Sequence, residues 1–192
     1  ATSPLARAYL SQNGALTAGT LSALTPDGAT RGEEENSHAV GNNEGVVLDL
    51  FGNLYQAGDV AGSPASIRIF RNASNRTVGA AFDANVDDIL VGANTGLVNP
   101  KGLDVDSGRG LLFVSDNGAV TGQLKVFLLS DVDDATPQGT TTLGEQPWDL
   151  DYDSVADRLF VSTTSGNVLV FDDYVAGGFG PTGPTRTITP AG

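Results

Sequence analysis

One stretch of this chain comes back. Asn99-Pro100-Lys101-Gly102-Leu103-Asp104-Val105-Asp106, followed by Gly110-Leu111-Leu112-Phe113-Val114-Ser115, returns as Gln146-Pro147-Trp148-Asp149-Leu150-Asp151-Tyr152-Asp153, followed by Asp157-Arg158-Leu159-Phe160-Val161-Ser162. Pro100 and Pro147, Asp106 and Asp153, and Phe113 and Phe160 are each 47 positions apart. An earlier copy reads Glu44-Gly45-Val46-Val47-Leu48-Asp49, then Gly52-Asn53-Leu54-Tyr55-Gln56-Ala57. Its Gly45, Asp49 and Phe70 precede Gly102, Asp106 and Phe127 by 57 positions. Each copy runs on through a turn into a second apolar segment, Ser66 to Phe70, Gln123 to Phe127 and Asn167 to Phe171. At the N-terminus, Ala8-Tyr9-Leu10-Ser11-Gln12-Asn13-Gly14 matches Leu112 to Gly118, a partial fourth copy without the opening segment. Units of this size cannot bury two faces alone, so such a chain must stack them.

The repeating segments read as strands. Ile67-Arg68-Ile69 and Leu124-Lys125-Val126 alternate with period two, the strand period. Fourth elements are expected at Thr77 to Phe82, Gly139 to Leu143 and Thr185 to Thr189, and long loops at Thr25 to Glu44 and Asp83 to Val98. Four short antiparallel strands in a repeat of about 50 residues describe the blade of a β-propeller. A β-sandwich is the alternative, but it does not predict one three-strand signature returning in register. The expected fold is all-β: a partial blade over 1–43, then blades over 44–98, 99–145 and 146–190. At this repeat size a six- or seven-bladed ring needs roughly 300 residues, so 192 residues imply a partial propeller. The remainder of the same chain, or a protein partner, would complete it.

Gly45 to Ala57 and its two later copies resemble the NHL-type repeats of six-bladed propellers: a strand ending in Asp, a tight Gly turn, then an apolar-aromatic strand. The resemblance spans about Ala8 to Ile188 and implies a propeller fold, with no particular function attached. Asp104, Asp149 and Asp151 depart from that pattern, which more often has small or apolar residues there. Asp49 and Asp106 are expected to accept backbone N–H bonds at the turns, and Gly52 and Gly108 to supply positive φ.

Charge removes several functions. Ten Lys and Arg against 23 Asp and Glu leave −13, which repels phosphates and argues against nucleic acid. With no Cys and a single His, His38, there are no disulfides, no zinc–thiolate sites and no His-rich metal site. No apolar run reaches the roughly 20 residues of a membrane helix. An Asp-rich surface with only Lys101 and Lys125 stays soluble at high salt. The start at Ala1-Thr2-Ser3-Pro4 reads as a processed or excised product. Together these point to an extracellular or cell-envelope protein whose signal peptide has been removed.

Asp149, Asp151 and Asp153 alternate along one expected strand, and Asp104 repeats one of their positions. Carboxylates are ligands for Ca²⁺, so Asp104, Asp149 and Asp151 are the candidate metal residues, with capping and solvated Asp as the structural alternative. An EF-hand is rejected because its Gly and closing Glu are missing. Glu33-Glu34-Glu35 reads as a solvated run. Ser37 beside His38 lacks a nucleophile-elbow context, and Trp148 reads as a packing or channel-rim residue. Asn72-Ala73-Ser74 and Asn75-Arg76-Thr77 are sequons, so Asn72 and Asn75 are candidate glycosylation sites. The leading expectation is a non-enzymatic protein-binding or assembly module, with no catalytic residue and no cofactor unless Ca²⁺. The alternative is a Ca²⁺-dependent hydrolase of the lactonase or gluconolactonase type.

Overall fold

The computed structural model describes residues 8–12, 20–24, 30–34, 42–59, 64–76, 86–118, 121–180 and 182–191. They form four antiparallel meanders. Blade 1 has three strands, β1 (Ala8–Gln12), β2 (Thr20–Leu24) and β3 (Thr30–Glu34). Blade 2 has β4 (Asn42–Leu48), β5 (Leu54–Asp59), β6 (Ser66–Phe70) and β7 (Asp88–Val91). Blade 3 has β8 (Pro100–Asp106), β9 (Leu111–Asp116), β10 (Gln123–Leu128) and β11 (Gly139–Thr142). Blade 4 has β12 (Pro147–Asp153), β13 (Arg158–Thr163), β14 (Val168–Asp172) and β15 (Arg186–Ile188). This is a partial β-propeller. The inner strands β4, β8 and β12 pack side by side, with β1 against β4. No helix among the described residues is long and apolar enough to cross a membrane.

Two expected loops contain strands. The segment from Thr25 to Glu44 holds β3 and the start of β4, and that from Asp83 to Val98 holds β7. β3 reads Thr-Arg-Gly-Glu-Glu, with no apolar residue, and β7 reads Asp-Ile-Leu-Val, an apolar run too short to be told from a loop by periodicity. β11 and β15 lie where fourth elements were expected, whereas Thr77 to Phe82 lies outside the described residues. In blade 2 the fourth place in the sheet is taken by β7.

The turns follow from their Asp residues. Asp49 Oδ1 accepts the N–H of Phe51 and Asn53 at 2.9 and 2.8 Å. Asp106 Oδ1 accepts Arg109 N at 3.0 Å, and Asp153 Oδ1 accepts Val155 N and Ala156 N at 2.9 and 3.0 Å. Positive φ falls on Gly52 (83°), Gly110 (70°) and Asp157 (49°), not on Gly108. The β8–β9 turn is one residue longer than β4–β5, since Asp49 pairs across to Asn53 but Asp106 to Leu111. Tyr55 is therefore the counterpart of Phe113. Both pair with the third strand alike, Tyr55 with Ile69 and Phe113 with Val126. A one-residue slip would have turned every side chain to the other face.

The core is layered between blades. Tyr9 and Leu21 of blade 1 pack on Leu54, Phe70 and Ala73 of blade 2. Tyr55, Ala57, Ile67, Ile69 and Leu90 then pack on Leu103, Leu112, Val114 and Phe127 of blade 3. Leu111, Phe113, Leu124 and Val126 pack on Leu150, Tyr152, Leu159, Val161, Leu169 and Phe171 of blade 4. Strands β6 and β9, sandwiched between neighbours, are buried at every position, while β13 alternates. Each large apolar side chain so buried contributes about 1.5–3 kcal/mol.

The cations of the two alternations are also buried. Arg68 and Lys125 occupy matching positions and are 1% and 2% exposed. Arg68 donates to Asn43 Oδ1 at 2.9 Å, and Lys125 Nζ pairs with Asp116 at 2.7 Å. Asp116 in turn accepts Val98 N and Asn99 N at the connection into β8.

The inner strands pass close to one another. A β-carbon built on Gly102 falls 2.6 Å from Asp149 Cα and 2.9 Å from Leu150 N, and one on Gly45 falls 3.0 Å from Gly102 Cα. Backbone cannot yield there as a flexible side chain would. Gly102→Ala is expected to cost about 1–3 kcal/mol by forcing the strands apart. Gly144→Ala, with nothing within 4 Å of its built β-carbon, should be near neutral in the same urea titration.

Candidate functional site

The topology gives the arc two ends. The turns joining the first to the second and the third to the fourth strand of each blade lie at one end. The connections between second and third strands, and from blade to blade, lie at the other.

At the connection end, matching positions on the three inner strands carry Glu44, Lys101 and Trp148. Lys101 Nζ pairs with Glu44 Oε1 at 2.5 Å and lies 5.2 Å from the centre of the Trp148 ring. The Glu44 and Lys101 side chains are 10% and 8% exposed, whereas Trp148 is 51% exposed. Desolvated charges of this kind are held only when paired. Trp148 thus both packs and stands at the rim of a shallow cleft of about 140 Å³, lined also by Gly45, Gly102 and Asp149.

Beside this row lie the candidate metal residues. Asp104 is part-buried, and its carboxylate spans two blades. Oδ1 accepts Val105 N at 2.8 Å, and Oδ2 accepts Tyr152 N of β12 at 2.7 Å. Burial raises the Asp104 carboxyl above the ordinary carboxylate range. The two N–H bonds oppose the rise, and the charges of Asp151 and Asp149 add to it. Asp149 and Asp151 are exposed on β12, and Asp149 Oδ1 accepts Leu150 N at 2.9 Å. The three carboxylates share one neighbourhood. Among the described residues, no group of three or more His, Cys, Asp or Glu is placed to hold a metal ion. Of the other residues singled out in the sequence, Glu35, Ser37, His38 and Thr77 lie outside the described residues. Asn72 and Asn75 are exposed on the turn after β6, and Asn75 Nδ2 donates to Asn72 Oδ1 at 2.6 Å.

At the turn end, the sequence reading had passed over an apolar tip. Leu50 and Phe51 are 81% and 73% exposed in the β4–β5 turn, which is tied to blade 3 by Leu50 N donating to Ser107 Oγ at 3.0 Å. Phe51 and exposed Leu128 border a groove of about 430 Å³ between blades 2 and 3, with Tyr55, Arg71 and Arg109 in its wall. Arg71 pairs with Asp88 at 2.9 Å and Arg109 with Asp106 at 2.6 Å. Tyr55 donates to Leu129 O at 3.2 Å, and burial, with the Asp49 charge, pushes its hydroxyl well up. The available signal was two large apolar residues where the later turns carry Ser107-Gly108 and Ser154-Val155.

No protein-family model and no curated protein matches the chain. Among solved structures it is similar to the WD40 domain of coronin from Toxoplasma gondii. The TM-score is 0.62 at 12% identity, over 98% of this chain and 46% of that one. The chain thus spans about half the length of that structure. At such identity the likeness shows the fold alone, a β-propeller.

The raised Asp104 carboxyl gives a signed pH effect. A group with its pKa raised by folding contributes stability below its unfolded value, about pH 4, and loses it as pH rises through the folded value. Removing a neighbouring negative charge should relieve that loss. Asp151→Asn is expected to raise Tm at pH 7 and leave it unchanged at pH 3, where the raised Asp104 carboxyl carries no charge to be repelled. An equal rise at both pH values would show that charge on Asp104 is not the cause.

Proposed function

We propose that the chain is a non-enzymatic propeller module that binds or assembles with other proteins, using the turn end of blades 2 and 3. The observation that carries this reading is the exposed apolar pair Leu50 and Phe51, with Phe51 and exposed Leu128 both lining the 430 Å³ groove. Exposed apolar surface with a polar rim marks interaction sites, and aromatic and Arg side chains are the usual anchors of such contacts. The likeness to a WD40 domain supports a propeller scaffold for it. The inner-strand pattern from Gly45 to Ala57 supports an NHL-type repeat. Acidity and the exposed Asn72 and Asn75 support a place outside the cell or in its envelope.

The test is a photo-reactive residue at position 130, where exposed Ser130 lines the same groove, with cross-linked partners compared between the parent background and a Leu50→Asp/Phe51→Asp background. Both side chains are exposed, so the double variant should keep its stability within about 0.5 kcal/mol and lose its partners. Undiminished capture by the double variant would refute the assignment.

The second reading, a Ca²⁺-dependent lactonase-like hydrolase, is supported by the shared neighbourhood of Asp104, Asp149 and Asp151. If it holds, millimolar Ca²⁺ should raise Tm in the parent protein and not in Asp151→Asn, and an unchanged parent Tm removes it.

A further inference from the structure

The groove between blades 2 and 3 holds two cations that the fold itself uses only in part. Arg71 follows β6 and Arg109 lies in the β8–β9 turn, so they come from different blades, yet both line this one groove. Arg71 gives its Nε–H to Asp88 at 2.9 Å. Arg109 gives one terminal nitrogen to Asp106 at 2.6 Å, with Ser154 O at 3.4 Å. A guanidinium carries five N–H donors, so each arginine keeps donors beyond these contacts. Their side chains are 36% and 47% exposed, within reach of an incoming acceptor.

Most acceptors in the groove wall are already occupied. Asp49, the one carboxylate among the lining residues, is 4% exposed. Its Oδ1 accepts Phe51 N and Asn53 N, and its Oδ2 accepts Asn53 Nδ2 at 2.8 Å and lies 3.3 Å from the Tyr55 hydroxyl. Asn53 Oδ1 takes Asn72 N at 2.9 Å, Gly110 O takes Leu129 N at 2.8 Å, and Leu129 O takes the Tyr55 hydroxyl. The polar side of the groove is therefore rich in donors. Its border is apolar, with Phe51 and Leu128 at 73% and 36% exposed.

Charge limits what can enter. Asp88 and Asp106 offset one positive charge each, and the whole chain carries −13. A run of acids or a polyphosphate would be repelled at long range. A single carboxylate adds little to that repulsion, and its planar pair of oxygens matches the donor fork of an arginine.

We propose that the turn-end groove recognises a peptide segment of a partner protein in which a single Asp or Glu stands next to a large apolar residue. The carboxylate accepts from Arg71 and Arg109, and the apolar side chain lies against Phe51 and Leu128. This rests on the reading of the turn end as a protein-binding site and adds what the partner must present. The apolar contact supplies buried area, and the arginines reject a partner that lacks the acid, because their donors would then lose water without gaining an acceptor.

The test is a displayed library of random dodecapeptides, selected on the full chain and counter-selected on Leu50→Asp/Phe51→Asp, so that the survivors depend on the tip. The survivors should carry one Asp or Glu beside Phe, Leu, Ile or Trp. Changing that acid to its amide should weaken binding to the parent protein about tenfold, and the loss should shrink to about twofold on Arg71→Gln/Arg109→Gln. Should the double variant fail to fold, Arg71→Gln alone serves, since its partner Asp88 is 38% exposed and can turn to water; the loss should shrink there as well. Survivors that bind equally well with the amide, that keep the full loss on the arginine variants, or that carry runs of acids overturn the proposal and leave the protein-binding reading standing. A selection in which no peptide distinguishes the parent from Leu50→Asp/Phe51→Asp counts against both.

Discussion

Between Gly45 and the Lys101–Leu103 backbone, and again between Gly102 and Asp149–Leu150, two inner strands pass with no room for a methyl group. The spacing of the blades follows from that contact. With the inner strands this close, the second and third strands meet their neighbours across single apolar layers, and each layer draws one half from each blade. A blade therefore has no core of its own, and the stability of each depends on the next, as in other stacked repeats.

The same closeness explains the polar interior. A layer only one side chain thick leaves a long cation at its edge no route to water, so Arg68, Lys125 and Lys101 are met by Asn43, Asp116 and Glu44. Removing one partner of such a pair costs about 3–5 kcal/mol, because a lone charge stays buried. Asp116 binds more than its cation. By accepting the N–H groups of Val98 and Asn99, it ties the connection from blade 2 into the start of β8, so the buried charge also locates the next inner strand.

With the layers committed to blade–blade contact, the exposed groups of blades 2 to 4 gather at the two ends. The connection end carries the Glu44, Lys101 and Trp148 row, and the turn end carries Leu50 and Phe51 beside two arginines in an otherwise acidic chain. Many of the acids that dominate the composition are engaged in structure. Burial by itself would raise the Asp157 carboxyl. The N–H groups of Ala176 and Val175, the Tyr152 hydroxyl and the Arg109 charge hold it below the usual carboxylate range. Asp49, Asp106 and Asp153 accept backbone N–H groups at their turns.

The repeat made much of the fold legible. Register depends on period two and on turn residues, both of which are local, so the strands of blades 3 and 4 and the Asp-capped turns could be read from Pro100 to Ser162. β3 and β7 could not, because Thr-Arg-Gly-Glu-Glu has no apolar residue and Asp-Ile-Leu-Val is too short a run to be told from a loop. The burial of Arg68 and Lys125 was equally invisible, since an alternating Ile-Arg-Ile or Leu-Lys-Val reads the same whether the cation meets water or a neighbouring blade. The turn-end site was half legible: Leu50 and Phe51 are conspicuous in a turn, but Arg71, Arg109 and Leu128 join them only through blade packing. Local chemistry along the chain determined that this protein is made of repeated four-stranded units with Asp-capped turns. Only the tertiary structure decided which face of each unit is shared, because that depends on how closely two backbones pass at Gly45 and Gly102.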